Sequence, residues 1–109
     1  MNRLKDKPIL ITENGIACKD DQYRIIYIAS ILQAVHQAMN SGVKVIGYLH
    51  WSLLDNWEWG TYVPTFGLAS VDPHTFERIP KTSAYFYGEI AENGCLRQDM
   101  IRKYYIRKP

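Results

Sequence analysis

Two short apolar runs stand on either side of one long segment with a helical period, and this order limits the folds open to the chain. The first run is Pro8-Ile9-Leu10-Ile11-Thr12, bounded by Pro8 and by Asn14-Gly15. It is rich in β-branched residues and does not alternate, which predicts a strand buried on both faces, as in a parallel sheet. Val43-Lys44-Val45-Ile46-Gly47-Tyr48-Leu49 predicts a second buried strand. Between them Ile25, Ile28, Leu32, Val35 and Met39 recur at three- and four-residue steps, with Gln33 and Gln37 off that stripe. This spacing predicts a helix over 22–40. Asp20 and Asp21 can cap its start, and Gly42 can sit past its last turn. Strand, helix and strand in this order make a βαβ unit.

The following stretch, 50–80, is punctuated by Gly60, Pro64, Gly67, Pro73 and Pro80, and within it Phe66 to Val71 reads as a short strand. Residues 82–93 then read as a helix with Thr82 or Ser83 as cap. Its apolar face is Tyr85, Phe86 and Ile90, and Gly94 is its stop. The stretch from Leu96 to Pro109 has no period that assigns it. It mixes Arg97, Arg102, Lys103, Arg107 and Lys108 with Tyr104 and Tyr105, and a basic tail of this size reads as solvated surface.

A right-handed βαβ unit leaves both outer edges of its strand pair open, and two parallel strands under one helix layer are not a stable architecture. A full (β/α)8 barrel takes roughly 250 residues, more than this chain has. The expected fold is therefore α/β: the C-terminal portion, about the last two βα units, of a (β/α)8 TIM barrel. Residues 1–109 are expected to form one partial domain.

Composition narrows the function. The chain has 13 Lys plus Arg against 11 Asp plus Glu, a balance unlike that of a dedicated nucleic-acid binder. Cys18 and Cys95 cannot build a disulfide framework and have no Cys-x-x-Cys spacing. No apolar run reaches the ~18 residues of a membrane span, and the first residues lack a signal-peptide core. The expectation is a soluble, cytoplasmic chain without nucleic-acid or membrane partners. His36, His50 and His74 show no metal-ligand spacing, so no metal site is expected.

In parallel α/β folds the loops after the strands carry function, because every strand's carboxyl end faces the same rim. One such end gives Ile11-Thr12-Glu13-Asn14-Gly15. The other gives His50-Trp51-Ser52-Leu53-Leu54-Asp55-Asn56-Trp57-Glu58-Trp59, which holds all the tryptophans of the chain. Carboxylates beside aromatic faces suit carbohydrate chemistry, in which one carboxylate attacks the sugar and another holds hydroxyls. Residue types alone leave other readings open. A Glu after a strand is commonly solvated, Glu-Asn-Gly recurs at 92–94 as a mere helix stop, and clustered Trp can be rim packing. Asp55 and Asn56 are expected to hold their loop by hydrogen bonds to backbone.

The motifs add specificity. Thr12-Glu13-Asn14-Gly15, then Trp51-Ser52-Leu53-Leu54-Asp55-Asn56-Trp57-Glu58-Trp59, then Phe66-Gly67-Leu68 closely resembles the end of the catalytic barrel in glycoside hydrolase family one, the β-glucosidase family. The likeness runs from about residue 8 to 94. It implies a retaining β-glycosidase in which Glu13 is the nucleophile that forms a covalent glycosyl-enzyme intermediate, and no cofactor, since that reaction needs only two carboxyl groups and water. It further implies that Trp51 is the platform under the sugar, that Glu58 and Trp59 bind the hydroxyls at C4 and C6, and that Phe66 lines the pocket wall. A non-proline cis peptide between Trp51 and Ser52 is also implied. The Trp-Glu-Trp arrangement favours an unphosphorylated β-glycoside, since Glu58 near O6 would repel a phosphate.

There are departures from the family pattern as well. Retaining hydrolysis needs a second carboxyl group about 5–5.5 Å from the nucleophile. The family carries it in an Asn-Glu-Pro motif that this sequence lacks. The segment between Trp59 and Phe66 is one residue shorter than usual, Thr65 stands where Arg is common, and Ile31 replaces a frequent His. The chain alone is accordingly expected to be inactive, with the N-terminal barrel half as its missing partner. The alternative is a non-catalytic or complementing piece that pairs with such a half.

Overall fold

The computed structural model describes residues 6–106, so Arg107 and Lys108 of the basic tail lie outside the described residues. The order of elements is β1 (Ile9–Asn14), α1 (Asp21–Asn40), β2 (Val45–His50), β3 (Ala69–Val71), β4 (Arg78–Pro80), α2 (Thr82–Asn93) and α3 (Gln98–Tyr104). β1 and β2 pair in parallel with α1 between them in sequence, which is the βαβ unit that the periodicity predicts. The register runs Ile9 to Val45, Leu10 to Gly47, Ile11 to Tyr48 and Asn14 to His50, with irregularities on either side of the central pairs. Asp20 caps α1, its carboxylate accepting from the Gln22 amide at 3.0 Å.

The core lies among the helices. Ile25, Ile28 and Ala29 of α1 meet Phe86 of α2, Met100 of α3 and Leu68, with Leu32, Tyr87 and Ile90 packed around them. Burying Phe86 or Ile25 in full contributes about 2–3 kcal/mol each. The apolar stripe of α1 fades toward its end, for Met39 is exposed. On α2 the inward positions are Phe86 and Ile90, while Tyr85 faces solvent.

Four expectations are corrected. The strands are covered on one face only: Leu10 is 48% exposed, Ile46 68% and Leu49 53%. Tyr87 of α2 meets the covered face, its hydroxyl donating to the Tyr48 carbonyl at 3.3 Å. The strand expected over 66–71 is shorter, Ala69–Val71, and pairs antiparallel with β4, which the prolines had hidden. Pro80 sits opposite Ala69 at the end of this edge strand, where a missing N–H is tolerated. Neither Thr82 nor Ser83 caps α2. Lys81 is the cap residue, its side chain making no bond to the helix start, and Asp21 of α1 instead accepts from the Ser83 amide at 2.8 Å and hydroxyl at 2.7 Å. The unassigned tail forms α3, which returns to the core through Met100. Gly94 ends α2 as expected, in the left-handed conformation at φ 65°.

No helix among the described residues is long and apolar enough to cross a membrane.

Candidate active site

The site is built where β1 and β2 end. Glu13 is the penultimate residue of β1, and its side chain is exposed. The next carbonyl, that of Asn14, accepts from the Trp51 amide at 2.8 Å, so the two strand ends are joined directly beyond the sheet. Gly15 packs so tightly there that a Cβ would overlap the Trp51 carbonyl. This close backbone approach is the reason for a glycine at 15. The peptide between Trp51 and Ser52 is cis, as the resemblance implies.

The loop after Trp51 is held mostly by its own side chains. The Ser52 hydroxyl donates to the Leu54 carbonyl at 2.8 Å, and the Asn56 amide donates to Ser52 Oγ at 3.1 Å and to the Leu54 carbonyl at 2.9 Å. Asp55 accepts from the Gly67 amide at 2.7 Å and from Lys81 Nζ at 3.0 Å, and Lys81 also reaches the Gly67 carbonyl at 2.9 Å. Asp55 and Asn56 thus hold the loop, as the sequence reading expects. The Ser52 amide donates to the Phe66 carbonyl at 3.2 Å, which ties the half-buried Phe66 to the same loop.

Glu58 is 9% exposed, and its Oε1 accepts from the Trp51 indole N–H at 2.9 Å. Glu58 and Thr61 exchange backbone hydrogen bonds at 2.8 and 3.2 Å across Trp59 and Gly60. Both central residues have positive φ, 48° and 101°, which makes this a two-residue hairpin turn of the I′ kind. Trp59 at its tip is fully exposed, and the Trp57 and Tyr62 rings below meet edge to face with centroids 4.9 Å apart. The structure therefore bonds Trp51 to Glu58, links Glu13 to Trp51 through Asn14, ties Phe66 in through its carbonyl, and leaves Trp59 exposed at the hairpin tip.

One participant escapes sequence reasoning. The Tyr48 hydroxyl donates to Asn14 Oδ1 at 2.8 Å, and burial holds this phenol well above the usual tyrosine value, so it stays a neutral donor. Tyr48 lies within a strand run, where an aromatic reads as packing; only the pairing register shows its reach to Asn14. His50 packs against the Tyr87 ring at 5.9 Å, and neither of its buried ring nitrogens has a hydrogen-bond partner. Burial holds this imidazole below its usual value, against the opposing pull of the Phe66 carbonyl.

Chemically this is a rim with one open carboxylate, Glu13, and one carboxylate, Glu58, already oriented by an indole. Such a rim can accept hydroxyl protons and offer an oxygen nucleophile. Among the described residues no group of three His, Cys, Asp or Glu side chains is placed to hold a metal ion.

Known proteins resemble this chain over most of its length. A β-galactosidase of Saccharolobus solfataricus is 46% identical over 91 residues, 83% of this chain and 19% of that protein. A 6-phospho-β-galactosidase of Staphylococcus haemolyticus is 41% identical over 108 residues, 85% of this chain and 23% of that protein. The solved β-glycosidase from Pyrococcus horikoshii superposes with a TM-score of 0.84 at 47% identity, covering 93% of this chain and 24% of that one. The chain thus spans about a fifth of the length of the curated relatives it matches. Residues 1–95 match the family description for glycosyl hydrolase family 1, and the chain belongs to that family.

Proposed function

We propose that this chain supplies the nucleophile and half of the sugar pocket of a retaining β-glycosidase, as the last two βα units of its barrel. The observation that carries this reading is the joined rim. Glu13 sits at the end of β1, the neighbouring Asn14 carbonyl is bonded to the Trp51 amide, and Trp51 in turn holds Glu58. In this arrangement Trp51 lies under the sugar ring and Glu58 takes the hydroxyls at C4 and C6. Glu13 attacks the anomeric carbon as the glycosidic bond breaks, leaving a glycosyl ester on its carboxylate. Phe66 walls the pocket, and Trp59 joins it from the hairpin tip. A carboxylate bonded to an indole N–H keeps further lone pairs for two hydroxyls.

The acid/base carboxyl belongs to the complementary barrel units, which are the chain's partner. Open strand edges and the bare Leu10, Ile46 and Leu49 face support that pairing. The substrate is an unphosphorylated β-glycoside, because the Glu58 carboxylate repels a 6-phosphate.

The test exchanges this chain for the matching segment of the Pyrococcus horikoshii β-glycosidase. The chimera is expected to hydrolyse an aryl β-glucoside and to prefer it over its 6-phosphate. Glu13→Gln is expected to lower kcat by about a thousandfold or more. An active chimera indifferent to Glu13→Gln sinks the assignment, and a preference for the 6-phosphate reverses the substrate class.

A further inference from the structure

Arg24 is the largest fully buried side chain among the described residues, and it carries a charge. A buried cation is costly unless paired and hydrogen-bonded, so its partners show what it is kept for. Nη1 donates to Asp21 Oδ1 at 2.6 Å, while Nη2 donates to the Ile16 carbonyl at 3.3 Å and to the Thr65 carbonyl. Neither carbonyl belongs to the helix that Arg24 sits on, and Asp20 already caps that helix. Ile16 lies in the loop just after Glu13, and Thr65 adjoins Phe66.

The same seam is stitched twice more. The Thr65 hydroxyl donates to the Cys18 carbonyl at 2.8 Å, and the Cys18 amide donates to the Thr65 carbonyl at 3.3 Å. At the far end of the Glu13 loop, the Asn14 carbonyl holds the Trp51 amide, and the Phe66 carbonyl holds the Ser52 amide. The contacts close a ring: Asn14 to Trp51, Ser52 to Phe66, and Thr65 through Arg24 back to Ile16.

We propose that Arg24 is the positioning residue of this site, its guanidinium locking the Glu13 loop to the Phe66 loop and so fixing the strand end that carries Glu13 against the Trp51 backbone. The role rests on the reading of Glu13 given above. A planar fork is needed to serve one carboxylate and two carbonyls, and a lysine ammonium cannot reproduce it. Thr65, which departs from the family pattern, supplies the second stitch.

The full chain carries its own reporters, the half-buried Cys18 in the seam and the exposed Cys95 outside it. Iodoacetamide labelling read by mass spectrometry gives the ratio of their rates. Arg24→Lys is expected to raise the Cys18 to Cys95 ratio about tenfold by local opening. The amide resonances of Gly15 and Trp51 are expected to shift while that of Met100 stays in place. Thr65→Val, which removes one hydroxyl, is expected to move the same readouts by a smaller factor, and it decides the matter should Arg24→Lys fail to fold. A folded variant with an unchanged ratio and unmoved Gly15 and Trp51 resonances overturns the proposal. Glu13→Gln in the chimera with the Pyrococcus horikoshii β-glycosidase separates the two readings. If the seam readouts move but an active chimera is indifferent to Glu13→Gln, Arg24 positions the loops as proposed and the glycosidase reading is the one that fails.

Discussion

The indole N–H of Trp51 donates to Oε1 of Glu58 at 2.9 Å, so the floor and one wall of the candidate pocket are a single bonded unit. The two residues are seven apart and meet only because the loop between them doubles back through Ser52, Leu54 and Asn56. A charge-assisted bond of this kind contributes about 1.5–3 kcal/mol where it is shielded from water. A double-mutant cycle of Trp51→Phe with Glu58→Gln, followed by urea unfolding, is expected to show a coupling of about 1 kcal/mol or more. Strict additivity would mean that the bond orients nothing.

Gly15→Ala is expected to destabilise the chain by about 2 kcal/mol or more, since the obstruction is backbone and cannot rotate away. The unfolding midpoint measures the cost. A neutral outcome would place the two strand ends further apart than described.

Lys81→Met leaves Asp55 with its Gly67 bond but without its cation. Both partners are about four-fifths buried, so the loss is expected at about 1–2 kcal/mol, less than for a fully buried pair. Differential scanning calorimetry would record it, and a shift indistinguishable from that of an exposed lysine variant would sink the claim.

His50 gives the chain a pH dependence whose sign follows from its environment. Its folded value lies below the unfolded one, so the unfolded state binds the extra proton. Stability is then full above the unfolded value of about 6.5 and falls as acid takes the pH downward from there. Urea midpoints between pH 7.5 and 5 should decline for the wild type and flatten for His50→Phe. Parallel curves would assign the dependence to another group.

Phe86→Ala is expected to cost about 3–5 kcal/mol, whereas Ile46→Ala in the isolated chain should fall within about 0.5 kcal/mol. Equal costs would mean that the bare sheet face is covered in solution, and the oligomeric state would then have to explain by what.

The legible parts of this molecule are those ruled by period and by punctuation. The 3.6-residue stripe of Ile25, Ile28 and Leu32 marks α1, and Gly94 marks the end of α2, because each acts through its own neighbours in sequence. What stayed hidden depends on partners far along the chain. β4 is three residues ending in a proline and exists only by pairing with Ala69–Val71. α3 is too short to show a period and is held by Met100 in a core built elsewhere. Asp21 reads as a helix-start charge, yet it also anchors Ser83, 62 residues on. Of the site, the motif residues Glu13, Trp51 and Glu58 were legible by resemblance. The bond between Trp51 and Glu58, the hairpin that exposes Trp59 and the reach of Tyr48 to Asn14 were not, because each is a matter of three-dimensional register.

The buried cluster of this chain draws on three helices and Leu68 and takes nothing from β1 or β2. That cluster closes among the helices, and the parallel strand pair beside it is left as an open seam. If that seam is closed by a separate polypeptide, closure is a bimolecular event. Its rate would scale with the concentration of both pieces, while the helical layer would form at a rate indifferent to dilution.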